Sequence, residues 1–218
     1  MRGIHSIKDP GSAITHFIGL IMAAAATVPL LVKTSARGDS RAMLCMTVFM
    51  LSMILLYAAS TIYHTFDVND KVNRILQKID HSAISILIAG TYTPPCILAF
   101  SQPTGRNLCI LVWSIAIAGI VIKLFWITCP KWFSSILYIG MGWACVTAFP
   151  SLLHDLPRPA FCWFLAGGIL YTIGGIIYAL KLPEFNARHK SFGTHEIFHL
   201  FVMGGSICHY IAIYFYIA

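Results

Sequence analysis

The chain has 218 residues, of which 11% are charged and 58% hydrophobic, and its mean hydropathy is +0.77. A charge content below half the roughly 25% of soluble domains excludes a soluble globular core and leaves a multi-span membrane protein. The formal net charge of +7 does not mark a nucleic-acid surface, because the basic residues are scattered among short connections.

Seven segments are long and apolar enough to span a bilayer, at about 20 residues each. The first, Ser12–Val32, contains Ala23-Ala24-Ala25, a small-residue run of the kind that follows a signal peptide. Its apolar stretch is long for such a peptide and six more spans follow, so it reads as a retained helix. The second runs from Ala42 to His64. The hydropathic part of the third is Asp80–Phe100, but its helix starts earlier. Asp67, Asn69 and Asp70 offer N-caps, and Val72, Ile75, Leu76 and Ile79 then recur at helical spacing. Lys71, Arg74 and Lys78 share the other face, placed to snorkel toward headgroups.

A start near Asp70 puts Asp80 about 15 Å along the helix, inside the protein near membrane depth. Pro94-Pro95 should kink or end this element. The remaining spans are Asn107–Ile127, Trp132–Leu153, Ala160–Leu180 and His195–Ile217. Tryptophans and tyrosines near span ends read as an interfacial belt. The expected architecture is an all-α membrane protein, one seven-helix transmembrane domain over residues 1–218, with no room for a soluble domain beside it. The seven cysteines (45, 96, 109, 129, 145, 162, 208) fall mostly in apolar runs without a CxxC pair and read as reduced and buried.

Lys and Arg in the connections set the orientation. With the N-terminus inside, the cytoplasmic pieces hold ten (Arg2, Lys8, Lys71, Arg74, Lys78, Lys123, Lys131, Lys181, Arg188 and Lys190) and the opposite side five. This favours a cytoplasmic N-terminus and an outside C-terminus.

The last span opens with His195-Glu196-Ile197-Phe198-His199. Histidines four apart lie one turn from each other on one helix face, the spacing at which two imidazoles hold one metal ion. Polar ligands in a membrane helix are costly and mark function by default. On the orientation above, His64 ends the second span, Asp80 lies near the start of the third, and His195 and His199 start the seventh, all toward the cytoplasmic leaflet. Three protein ligands and an open position is the arrangement of catalytic zinc. Ser60, four residues before His64, sits one turn deeper on the same face.

The other histidines read differently. His16, His81 and His209 are expected to pack and hydrogen-bond between helices; His209 lies about 15 Å beyond His199 and cannot share its ligand set. His5, His154 and His189 read as solvated loop residues. A zincin protease would use Glu196 as general base, but the extended metzincin pattern needs Gly and His where this chain has Val202 and Gly205.

Ser60-Thr61-Ile62-Tyr63-His64, then Ile79-Asp80-His81-Ser82 through Ala89-Gly90-Thr91-Tyr92-Thr93-Pro94, then the HEIFH stretch, resemble the hemolysin III proteins. These are the bacterial branch of the progestin and adipoQ receptor family, grouped with alkaline ceramidases through an SxxxH, Asp, HxxxH pattern. The resemblance covers essentially the whole chain. It implies a multi-pass protein of the bacterial cytoplasmic (inner) membrane. It also implies Zn2+ on His64, His195 and His199, with Asp80 bonded to the metal's water and Ser60 close by.

Three functions are open at this stage: a zinc hydrolase of a membrane lipid amide or ester, a zinc-stabilised membrane sensor or regulator, and the pore-forming cytolysin that the family name suggests. The cytolysin reading finds no amphipathic pore segment. Neither the substrate nor the oligomeric state is encoded in a recognisable motif.

Overall fold

The computed structural model describes residues 7–180, 182–189 and 192–218. His5 and three residues of the charge comparison, Arg2, Lys181 and Lys190, lie outside them. The described residues contain helices and no strand: α1 (Pro10–Ser35), α2 (Ser40–Thr65), α3 (Asp70–Pro94), α4 (Thr104–Phe125), α5 (Lys131–Gly142), α6 (Phe149–Asp155), α7 (Arg158–Leu180), α8 (Pro183–Arg188) and α9 (Thr194–Tyr216). Among the described residues, seven helical stretches are long and apolar enough to cross a membrane. They coincide with the seven expected from the sequence to within a few residues at each end.

The helix starts follow local chemistry. Asp39 caps α2 by accepting the Arg41 N–H at 2.9 Å, and Asn69 caps α3 by accepting the Val72 N–H at 2.9 Å. The third helix therefore starts at Asp70, as the polar cluster before it requires. Pro94 and Pro95 end the regular α-helix, and the chain passes through a π-turn, Pro95–Ala99, before turning at extended Phe100. Lys78, on the basic face of α3, donates to the Leu124 carbonyl at the end of α4.

The fifth span departs from the sequence expectation of one helix over Trp132–Leu153. It is α5, a 3₁₀ stretch over Trp143–Ala148, and α6. Gly140 and Gly142 weaken the helix, and Pro150 removes a donor at the start of α6. A break at membrane depth needs partners for the backbone groups it frees. Tyr92 of α3 supplies them, its hydroxyl donating to the Gly142 carbonyl and accepting the Cys145 N–H at 3.0 Å. The Trp143 indole donates to Thr172 of α7 at 2.9 Å.

Around the bundle the neighbours run α1, α2, α3, α5, α7, α9 and back to α1, with α4 packed on α3 and the π-turn. The first core cluster joins α1, α2, α3 and α9 through Leu30, Met46, Phe49, Met50, Tyr57, Leu87 and Ile213. Gly19 lets α1 approach α2, because a Cβ there would lie 2.9 Å from the Tyr57 ring. Tyr57 in turn donates to Ser206 of α9 at 2.8 Å, and Tyr171 of α7 shares the same hydroxyl at 2.8 Å. All seven cysteines are free thiols, five of them buried, with Cys145 half-buried and Cys162 exposed. The burial expected of the cysteines holds for these five and fails for Cys145 and Cys162. Lys123, in the last turn of α4, is buried and meets Cys129 Sγ at 3.0 Å and Ser134 Oγ at 2.5 Å.

Candidate metal centre

His64 stands in the last turn of α2, and His195 and His199 in the first two turns of α9. Each offers one ring nitrogen to a common point, and these three atoms lie within 4.8 Å of one another. It is the only such His, Cys, Asp and Glu group among the described residues. The sequence expected these three side chains to meet at one depth, and they do.

Two of the three tautomers are fixed by Asp9, the N-cap of α1, and by Thr15 within it. His64 Nδ1 lies 3.0 Å from Asp9 Oδ2, so the proton sits on Nδ1 and the Nε2 lone pair is free. Thr15 spends its hydroxyl hydrogen on carbonyls of its own helix, Ser12 at 2.9 Å and Gly11 at 3.0 Å. Toward His199 Nδ1, 3.0 Å away, its oxygen therefore accepts, which again leaves Nε2 free. His64 Nε2 and His195 Nε2 face each other at 3.3 Å. Two imidazole nitrogens bound at 2.0–2.1 Å on one tetrahedral zinc stand about 3.3–3.4 Å apart. The donor set, the tautomers of His64 and His199 and this spacing fit a metal ion held by three neutral imidazoles.

Asp80 and Ser60 are both buried, at 7% and 1% exposure. They line the same cavity as His195 and His199, so the sequence-nominated serine and carboxylate share one chamber with two of the histidines. Asp80 Oδ2 is 3.3 Å from His81 Nδ1, which also lies 3.0 Å from the Gln77 carbonyl. Tyr138 donates to the His81 carbonyl at 2.9 Å. His81 thus supports Asp80 as well as packing. The cavity, about 230 Å³, extends well beyond these polar groups. Asp80, Ile84, Leu87 and Thr91 line it along one face of α3, roughly 16 Å at 1.5 Å per residue. Phe161, Phe164, Leu165, Gly168 and Tyr171 line it along α7. The rest of its wall is almost wholly apolar, with Phe100, Val146, Phe149 and Leu152 among the residues that close it.

Glu196 is committed elsewhere. Its Oε2 accepts the Gly193 N–H at 2.8 Å, capping α9, and its Oε1 accepts from Ser12 of α1 at 2.5 Å. Both carboxylate oxygens make helix-end contacts and Glu196 does not line the cavity, which argues against the zincin general-base role. His209 meets the Phe164 carbonyl at 3.2 Å, the interior contact expected of it. His154 and His189 are both exposed, as expected, but only His189 lies in a loop: His154 stands in the last turn of α6, the short helix that follows the break in the fifth span. His16 behaves otherwise than expected. Among the described residues it finds no hydrogen-bond partner, and it stacks on His199 instead, with ring centroids 3.5 Å apart and planes at 10°. It too lines the cavity.

The residues that sequence reasoning missed all belong to the start of α1: Asp9 on His64, Ser12 on Glu196, Thr15 and His16 on His199. Their signal is a polar stripe at helical spacing on an otherwise apolar span. Asp9 itself is outside the span, and the hydrogen bond to His64 holds its carboxyl below the ordinary carboxylate value.

Residues 4–210 match the family described as Haemolysin-III related. The chain is 38% identical to Hemolysin-3 of Bacillus cereus over 210 residues, covering 96% of this chain and 92% of that one. It is 38% identical to the Hemolysin-3 homolog of Bacillus subtilis over 209 residues, 96% and 94% of the two chains. A more distant relative is the adiponectin receptor protein of Drosophila melanogaster, 23% identical over 222 residues, where the match spans 93% of this chain and 49% of the receptor. No solved structure matches. Seven membrane helices around a histidine cluster that could hold a metal define a heptahelical membrane protein, and the chain belongs to the Haemolysin-III related family.

Proposed function

We propose that this protein is a zinc-dependent hydrolase of a membrane lipid amide or ester, with a role in membrane homeostasis. One observation carries this reading: three imidazoles converge beside an acid and a hydroxyl that line the same long apolar cavity. His64, His195 and His199 would hold the metal. What zinc supplies when bound is a water acidified to a pKa near 7 and polarisation of a carbonyl.

The chain's own residues do the rest. Asp80, held by His81, accepts the proton of the attacking water. Ser60 orients that water or donates to the developing oxyanion. The apolar wall along α3 and α7 receives an acyl chain and keeps bulk water from the reacting atoms. On the proposed orientation, with the N-terminus in the cytoplasm, this chemistry takes place near the cytoplasmic leaflet.

A sensor or regulator would use the same metal to tie α2 to α9 and would need neither Asp80 nor Ser60. The lytic reading rests on the name of the Bacillus relatives alone. Asp80→Asn separates hydrolase from sensor, because Asp80 is outside the ligand set. The folded, zinc-loaded variant is expected to lose roughly 10²–10⁴-fold in release of fatty acid from lipid amides and esters, the usual contribution of a positioned base. Wild-type turnover in that variant would refute the hydrolase.

A further inference from the structure

Asp9 occupies the N-cap of α1, where an aspartate ordinarily accepts a backbone N–H of the first turn. Its side chain makes no such bond. It reaches across to α2, with Oδ2 3.0 Å from His64 Nδ1, while its backbone N–H donates to the His64 carbonyl at 2.9 Å. One residue of a different helix thus holds His64 by ring and main chain together.

Lys8 extends the grip. Its N–H donates to the Thr65 carbonyl at 3.2 Å and its ammonium to the Tyr63 carbonyl at 3.4 Å, 3.6 Å over the Tyr63 ring. Tyr63, His64 and Thr65 close α2, and the carbonyls of a helix's last turn lack partners within the helix. Two residues of the N-terminal segment meet all three.

A metal ligand in the last turn of a helix sits where helices fray, so its position and ring plane need outside support. Among the described residues, His64 alone of the three clustered rings has an anionic partner: His199 has the Thr15 hydroxyl, and His195 Nδ1 has none. A carboxylate on the far nitrogen fixes the ring and raises its basicity toward the metal. The Asp9 side chain is 45% exposed and that of His64 only 4%. The support of a buried ligand therefore reaches the surface at Asp9.

We propose that Asp9 is a positioning residue of the metal site, and that the Lys8–Asp9 segment is the strap that sets how tightly and how long the metal is held. This rests on the metal reading above and adds to it a place where retention is controlled.

The test uses the full chain purified in detergent, as wild type, Asp9→Asn and Asp9→Ser. Asn keeps the shape of the side chain and Ser keeps an N-cap while removing the reach to His64. Each protein is titrated with Co2+, whose visible bands report ligand geometry. Each is also loaded with Zn2+ and followed as a chromogenic chelator strips it. Both variants are expected to bind Co2+ roughly 10–100-fold more weakly, with altered visible bands and correspondingly faster Zn2+ release. The metal-free melting temperature of Asp9→Asn, which keeps an acceptor for His64 Nδ1–H, should equal that of the metal-free wild type. Wild-type bands and affinity in Asp9→Asn would overturn the proposal, and so would a loss that tracks a lowered metal-free melting temperature. A wild-type protein that binds neither ion would end the metal reading itself, a result distinct from failure of the Asp9 assignment alone.

Discussion

His64 Nε2 and His195 Nε2 face each other across 3.3 Å, one nitrogen from the end of α2 and the other from the start of α9. With the His64 proton drawn to Asp9, nothing on the His64 side donates across that gap. A cation between the two would be met by a nitrogen from each, and His199 would supply a third.

The ligand set is therefore testable one ring at a time. His195→Ala should drop bound zinc from about one per chain to background, because two imidazoles rarely suffice for a site of this kind. His209→Ala should leave zinc unchanged, since that ring is spent on the Phe164 carbonyl. Elemental analysis of the purified proteins checks both, and zinc retained in His195→Ala would remove it from the set.

Thr15 is expected to matter for the metal without touching it. Thr15→Val keeps the side-chain shape and strips the acceptor from His199 Nδ1. Loss of such an outer hydrogen bond typically costs 10–100-fold in metal affinity. We expect the lower part of that range, since the partner is a hydroxyl and not a carboxylate. Chelator competition against wild type measures it, and an unchanged affinity would show that the contact does not orient the ring.

Much of this was legible before the structure. Hydropathy located every span, because the bilayer demands some 20 apolar residues whatever the packing. The HxxxH spacing and His64 at a span end pointed to the three histidines that cluster, because helical periodicity alone places i and i+4 together. Asp9 was hidden for the opposite reason. Beside Pro10 it reads as an ordinary helix start, and only the packing of α1 on α2 turns it toward His64. The depth of His16 was readable but not its ring plane, so stacking on His199 replaced the hydrogen bond expected there. The break in the fifth span escaped because its backbone partner, Tyr92, is about fifty residues away in sequence.

That break yields a stability prediction. Tyr92→Phe keeps the ring but leaves the Gly142 carbonyl and the Cys145 N–H without their partner. It should destabilise the protein by about 1–3 kcal/mol, read as a lower unfolding midpoint in detergent, with zinc content unchanged. An unaltered midpoint would mean that the 3₁₀ stretch does not depend on Tyr92.

Orientation has its own measurement. The ten-to-five distribution of Lys and Arg favours a cytoplasmic N-terminus. A reporter active only outside the cytoplasm should therefore be active when fused after Ala218. Activity of a cytoplasm-only reporter at that position would reverse the topology and move the metal cluster to the other leaflet.

The central claim is metal-dependent lipid hydrolysis, and stripping and restoring the metal tests it most directly. Purified protein is assayed by mass spectrometry for fatty acid released from bilayers containing lipid amides and esters, before chelation, after chelation, and after one equivalent of zinc is returned. Release should fall to background on stripping and recover with the equivalent of zinc. Fully zinc-loaded, folded protein that releases no fatty acid from any of these lipids, or release that persists unchanged after the metal is gone, would contradict it.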